Sequence, residues 1–246
     1  MAAAAERTFG RVTSRTGERI LGMLAAAALA ISTFLSLVVA PPDAVQGDVQ
    51  RLMYIHVPAA WLAYLSFLVV FVASIAYLRT KKARWDRLAG ASAEIGVMFT
   101  ALAIVLGALW GKPIWGTWWT WDPRLTTTAV LLLIYIGYLS IRRISDNPAR
   151  RARWSAVVGI VAFVDVPIVH LSVVWWRSLH QGPTVIRLGG PEIERTMLIT
   201  LLAGVAAFTL VYAYLMTVRL RVGRLEERAA REALSPLVRP AVEAEV

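Results

Sequence analysis

The sequence predicts an all-α fold: a polytopic membrane helix bundle with six transmembrane helices and both termini cytoplasmic. Three observations carry this expectation. Of 246 residues, 58% are hydrophobic and 17% charged, an apolar share well above that of a soluble domain. Six stretches, 20–40, 58–78, 89–110, 125–141, 154–176 and 196–218, are long and apolar enough to approach the ~20 residues that a hydrocarbon core of ~30 Å requires. Lys and Arg collect in alternate connections, the pattern left by the positive-inside rule.

Taken in order, the first stretch follows Arg7, Arg11, Arg15 and Arg19 and superficially resembles a signal peptide. Its apolar run is longer than a signal's, and "VVAPP" puts proline where a cleavage site needs small residues, so a retained helix is expected. The second connection holds Arg79, Lys81, Lys82, Arg84 and Arg87, the fourth Arg142, Arg143, Arg150, Arg151 and Arg153, and the tail Arg219, Arg221, Arg224, Arg228 and Arg231. These belong on the cytoplasmic side, which leaves the first, third and fifth connections outside. Residues 1–218 are read as one six-span domain with "WGKPIWGTWWTWDPRL", 110–125, in the third connection. Residues 219–246 are read as a charged cytoplasmic tail, helical until near Pro236.

Composition also excludes. The chain has no cysteine, which removes disulfides, thiolate metal sites and the thioether attachment of a c-type heme. Its formal net charge of +10 would point to nucleic acid in a soluble protein, but here the cations sit in short loops beside apolar runs, so no nucleic-acid partner is expected. No internal repeat argues for an inverted-repeat transporter. There is no phosphate-binding glycine loop ending in Lys-Ser/Thr, no His-Glu-x-x-His and no serine elbow.

With that orientation the outer side holds Trp61, Trp110, Trp115, Trp118, Trp119, Trp121, Trp175 and Trp176, leaving Trp85 and Trp154 inside. A plain aromatic belt populates both interfaces, and eight against two fits it poorly. Indole faces suit a large planar π-system, and Gly116 lets a ligand approach the backbone. His56 lies in the first outer connection and His180 in the fifth, on either side of the tryptophan segment in sequence yet at one membrane face. Two neutral imidazoles flanking a flat aromatic surface are what axial ligation of a heme iron needs; two unrelated histidines near lipid headgroups are the plainer alternative. His170, about two turns below the outer end of its span, is read as structural. Asp165, about 16 Å in from Trp154, is either a functional carboxyl or a protonated one bonded to backbone freed by Pro167. Glu94 is placed near enough to the cytoplasmic surface to snorkel. Arg51, Lys112, Arg124 and Arg177 depart from the orientation rule, and guanidinium groups grip heme propionates well; pairing with Asp122 or with the phosphate of membrane lipid is the alternative. Asp122 is placed to cap a helix beginning near Arg124, with Pro123 in its first turn.

"WGKPIWGTWWTWDPRLT" closely resembles the tryptophan-rich WWD motif of the heme-handling membrane proteins of cytochrome c maturation. Within that group, "YIHVPAAW", "WWRSLHQGPT", the length and the number of spans look like the cytochrome c maturation protein C, or heme exporter protein C, family. The resemblance covers most of residues 20–218. It implies a bacterial inner-membrane, multi-pass protein active at its periplasmic face. Heme b would be held without a covalent bond, its iron between His56 and His180, on a platform running from Trp110 through Trp115, Trp118, Trp119 and Trp121 to Asp122. The implied partners are a membrane-anchored heme chaperone (protein E), a small single-span protein D and the ATP-binding cassette proteins A and B. The implied role is to help load heme onto a histidine of the chaperone. The related heme lyases and cytochrome c synthetases share the tryptophan motif but are longer. A small-solute permease would need a polar path, for which the spans offer little beyond Asp165, His170 and Glu94; a purely structural protein would leave the outer histidines dispensable.

Overall fold

The computed structural model describes residues 15–144, 147–182, 184, 185 and 188–243; Arg7 and Arg11 lie outside them. Among the described residues the chain is helical throughout, with a single β-bridge, Asp43 to Gly47, closing a turn. Six helical segments are long and apolar enough to cross a membrane, 15–39, 48–80, 83–115, 123–144, 148–175 and 195–229. Each overlaps one of the six stretches read from the sequence.

Helix α1 (Arg15–Phe34) widens into a π turn over Leu35–Val39 and stops at Ala40, whose extended backbone is what a residue preceding proline adopts. In the following loop the Asp43 carboxylate accepts from the amides of Val45 (2.9 Å) and Gln46 (2.8 Å). A 3-10 turn, Asp48–Leu52, then feeds α2 (Met53–Thr80). Lys81 takes a left-handed conformation to end α2, and α3 (Ala83–Trp115) begins two residues later. At the far end of α3, Gly116, φ +75°, supplies the same left-handed cap, its amide donating to the Lys112 carbonyl; a glycine suits that position because a side chain there is strained.

Helix α4 (Pro123–Ile144) starts on a proline, and α5 (Pro148–Ala162) starts on another behind an Asn147 cap that accepts from the amides of Ala149 and Arg150. The fifth span is interrupted at Phe163 and Val164 before continuing as α6 (Asp165–Trp175). Pro167 accounts for the break: its ring clashes with the carbonyl four residues earlier, that of Phe163, and it has no amide to donate. Helix α7 (Arg195–Glu243) opens where the Glu194 carboxylate accepts from the Met197 amide, 2.9 Å. It continues past Pro236, where the sequence predicts an end; Ala, Glu, Arg and Leu, the strong helix formers, dominate this segment.

α2 is the central helix, packed against α3, α5 and α7; α4 packs on α3, α5 and α6, and α1 packs chiefly on α7. Close approach is made by small residues, as between membrane helices generally. A Cβ on Gly96 would lie 2.5 Å from the Phe67 ring and 2.9 Å from Ser66 Cβ, and Gly159 would meet Ser74 Oγ at 2.9 Å. Pro58, inside α2, removes the amide that the Tyr54 carbonyl would receive; Gly204 of α7 packs against both, and a Cβ there would lie 3.1 Å from each. Phe67 also stacks on Tyr135 of α4 at 3.6 Å, so it has little room to yield. Gly96→Leu is therefore expected to overpack this seam and lower stability by about 1–3 kcal/mol, read as an earlier thermal midpoint in detergent; an unchanged midpoint would show that the α2–α3 seam is looser than described.

Where α3 begins and α4 ends, Arg142 forks onto Asp86, NH1 to Oδ1 at 2.5 Å and NH2 to Oδ2 at 3.0 Å. Both side chains are largely buried, and Gly90 leaves the space: its Cβ would fall 2.8 Å from Arg142 Nε. Sequence reasoning counted Arg142 among the cytoplasmic cations and missed this partner, 56 residues away. Glu94, placed near enough to the surface to snorkel, is partly exposed and receives Arg219 NH2 at 2.9 Å, which links α3 to α7. Being about two-fifths exposed, the pair contributes little.

Candidate functional site

The alternation of helix directions brings the start of α2, the end of α3, the start of α4 and the end of α6 to one end of the bundle. His56 is in the first turn of α2, so the expected loop position is corrected: the 3-10 turn winds the chain into helix three residues earlier. Its ring lies across Gly107 of α3, where a Cβ would stand 3.0 Å from Cε1 and 3.5 Å from Nδ1. Nδ1 is buried without a hydrogen-bond partner. Trp110, one turn along α3, meets the imidazole edge-on, centroids 5.8 Å apart, and its indole N–H donates to Gln46 Oε1 at 2.9 Å. The first connection thereby holds the indole that flanks His56.

The tryptophan segment is only partly a connection. α3 runs through Pro113 to Trp115, so Trp110 and Trp115 are helical, and 116–122 alone joins α3 to α4. Pro113 falls in the last turn, where it removes the donor to the Leu109 carbonyl but little helix lies beyond it to be kinked. Trp115 lies edge-on to His180, centroids 4.9 Å apart. Trp119 and Trp121 make a perpendicular pair with each other, 5.9 Å apart, and Lys112 lies 5.9 Å from the Trp118 ring. Trp118 and Trp121 are the open members, 55% and 82% exposed.

Asp122 knots these pieces together. It is buried, and as expected it caps α4: its Oδ1 accepts from the Arg124 amide at 2.9 Å. Sequence reasoning missed its second role. Oδ2 accepts from the Leu179 amide at 2.7 Å, and Oδ1 lies 3.3 Å from His180 Nδ1. Burial pushes the Asp122 carboxyl up, but the Leu179 amide, the Ser178 hydroxyl, the Arg124 amide and His180 together hold it below the ordinary carboxylate range. His180 is itself held below the ordinary histidine range, first by burial and then by the Arg124 guanidinium, against the opposing pull of Asp122. It is thus neutral at pH 7, the form that ligates metals. With Nδ1 turned to Asp122, its Nε2 is left for a ligand. His56 and His180 are near enough for their charges to act on each other.

The expected cations are placed differently. Arg51 donates to the Asp48 carboxylate (2.8 Å) and to the Ser36 and Ala40 carbonyls, tying the end of α1 to the 3-10 turn. Arg124 donates to the His170 carbonyl at 3.0 Å while its Nε is buried without a partner. Lys112 donates to the Gly116 carbonyl, 2.9 Å; Arg177 is exposed. The His170 ring is exposed and faces Tyr64 edge-on at 6.3 Å. Trp61 donates to Thr209 Oγ1 at 3.1 Å, and Trp175 pairs with Trp176, centroids 5.8 Å apart. Gln46, Gly107, Ser178 and the Leu179 amide support the site without a sequence signal of their own, because each acts across a gap in the chain that no spacing reveals.

An orphaned imidazole nitrogen, a second imidazole fixed by a carboxylate, and an indole edge against each are a donor set that fits a metal porphyrin. Fold and rim together define a polytopic helical membrane protein presenting paired imidazoles and an indole-rich edge at one end of its bundle. The chain belongs to the heme exporter protein C family, whose model matches residues 1–235. It is 42% identical over 213 residues to the heme exporter protein C of Bradyrhizobium diazoefficiens, covering 85% of this chain and 81% of that one. It is 37% identical over 206 residues to the protein of that name from Haemophilus influenzae, 82% of each. A putative cytochrome c biosynthesis mitochondrial protein of Arabidopsis thaliana is 36% identical over 193 residues, 78% of this chain and 73% of that one.

Proposed function

We propose that this protein handles heme in cytochrome c maturation, holding heme b at its tryptophan-rich rim with His56 and His180 as axial ligands. The observation that carries the reading is the convergence of the two imidazoles, from positions 124 residues apart, beside Trp110 and Trp115. Heme supplies the iron and the reactive porphyrin edge; the chain supplies two nitrogens, a stacking surface and a fixed orientation. Asp122 keeps a proton on His180 Nδ1 and so presents Nε2. Trp118, Trp119 and Trp121 form the open side of the platform, from which heme passes to protein E. Protein D and the cassette proteins A and B complete the assembly.

The rim is assigned to the periplasmic face of the bacterial inner membrane. Arg79, Lys81, Lys82, Arg84 and Arg87 around the junction of α2 and α3, and Arg142, Arg143, Arg150, Arg151 and Arg153 around that of α4 and α5, crowd the opposite end, which supports that orientation. Arg124 is the better candidate of the two expected propionate grips, since it lies beside Asp122 and His180 whereas Arg51 is tied to carbonyls of the first span.

The reading is tested on the purified protein by its porphyrin absorption and by heme titration of Asp122→Asn. Asparagine caps a helix as well as aspartate does, so the variant keeps the start of α4 while losing the charge facing His180. Heme retention is expected to weaken about 10–100-fold, as when other partners behind a ligating histidine are removed. Wild-type retention in this variant would show that Asp122 serves the helix alone.

A further inference from the structure

The site at the rim leaves unused a row of polar side chains inside the bundle, where α2, α4 and the broken fifth span meet. Asp165 stands at the helix interruption with its Oδ2 buried and unpartnered. Its charge reaches Tyr64 of α2 and Tyr135 of α4. Tyr135 is fully buried, its hydroxyl also without a partner, and its ring lies 6.0 Å from that of Tyr138. The Tyr138 hydroxyl is 3.5 Å from Arg142 NH1, and Arg142 is clasped by Asp86. Ser74 Oγ and the Tyr138 ring both pack closely on Gly159; this hydroxyl and that of Ser155, one turn away on α5, are buried and unpaired as well. At the other end Tyr64 faces the Arg124 charge and the His170 ring beneath the rim.

Buried hydroxyl and carboxyl oxygens find partners in nearly all native structures, and where the protein supplies none, internal water does. Four such oxygens, those of Ser74, Tyr135, Ser155 and Asp165, are carried by the helices that meet here, α2, α4, α5 and α6. An ionisable side chain at this depth is costly to keep and marks a path for protons or ions. Tyrosines, serines and one carboxyl, with no cluster of ligands fit for a metal ion among the described residues, carry protons better than larger ions.

We infer that this interface is a proton path, with Asp165 as its carrier, running from Asp86 through Tyr138 and Tyr135 to Asp165 and on through Tyr64 to the underside of the rim. Each step breaks one O–H bond and forms another on the next oxygen, of water or side chain; no electron moves and no other reactant is consumed. The Asp165 carboxylate accepts a proton from one side and releases it to the other. Arg142 and Arg124 bound the path with fixed positive charge, and Tyr64, Tyr135 and His170 are the titratable groups facing its centre. The inference is independent of where heme is held.

Proteoliposomes containing the full chain and an internal pH dye, energised by a potassium gradient with valinomycin, test it. Wild-type protein is expected to admit protons faster than protein-free vesicles. Asp165→Asn and Tyr135→Phe are each expected to lower that rate about tenfold or more, while Asp165→Glu retains it. All three variants should keep the heme absorption of the wild type, which separates this result from the reading of the rim. A wild-type rate equal to that of empty vesicles, or an undiminished rate in either Asp165→Asn or Tyr135→Phe, overturns the path.

Discussion

Purified His56→Ala/His180→Ala protein is expected to lack the intense porphyrin band, while each single variant retains a weakened and shifted one. Axial nitrogens are the strongest bonds the protein can offer the iron, so removing both should exceed the roughly 10–100-fold loss set by groups behind a ligand. The two positions are not equivalent. His56 rests against Gly107 with Nδ1 buried and no side chain bonded to it, so alanine there leaves a hole and little else. His180 shares Asp122 with the cap of α4 and the Leu179 amide, so alanine there also frees a buried carboxylate. The His180 variant should accordingly lose more thermal stability than the His56 variant. His170→Ala should keep the band, since this ring is exposed and turned toward Tyr64. A full band in the double variant would remove the proposed ligation and make His170 the next candidate.

The second large effect is expected far from the rim. Breaking the Asp86–Arg142 fork by Arg142→Met leaves a buried carboxylate with nothing opposite it, which costs about 3–5 kcal/mol. Two properties of the site place it in that range: the pair is bidentate, and the side chains are 16% and 11% exposed for Arg142 and Asp86. Replacing both partners, Asp86→Leu with Arg142→Met, should recover most of the loss, because two apolar groups of similar size need no compensation. Thermal unfolding of the wild type and both variants in detergent checks this. A double variant no better than the single would mean that packing against Gly90 and Tyr138, and not charge, is what the guanidinium contributes.

The spans were legible because each is a long run with its own local cause. Apolar length, the charge clusters at 79–87 and 142–153, and the cap at Asp122 all act within a few positions, and α4 begins where that cap stands. The break at Pro167 was foreseen, while Pro236 was expected to end a helix and does not. Pro113 and Pro236 lie within helices that continue past them, whereas Pro167 interrupts its span at Phe163 and Val164. The difference depends on whether a proline falls in a terminal segment or at mid-helix, which local sequence marks poorly. At the rim, residue types were legible while their couplings were not. Asp122 was recognisable as a cap, but its grip on His180 joins two connections 58 residues apart, and no periodicity records such a distance. Arg51 was recognisable as an unusual outer cation, yet its destination, the last carbonyls of the first span, depends on how the π turn ends. Asp165 stood out as a carboxyl deep in a span, but Tyr64, Tyr135 and Tyr138 around it escaped notice because tyrosines in an apolar run read as bulk until the opposing helices are in place.

α1 rests mainly on α7, with Gly22 packed so close to the Tyr214 ring that a Cβ would lie 3.0 Å from it, and Glu18 paired with Arg221 at 3.0 Å. During synthesis, then, α1 enters the bilayer well before α7, nearly two hundred residues on, and waits beside lipid until α7 arrives. Assembly closes like a clasp, start to finish, and a truncated chain is left with its opening segment adrift.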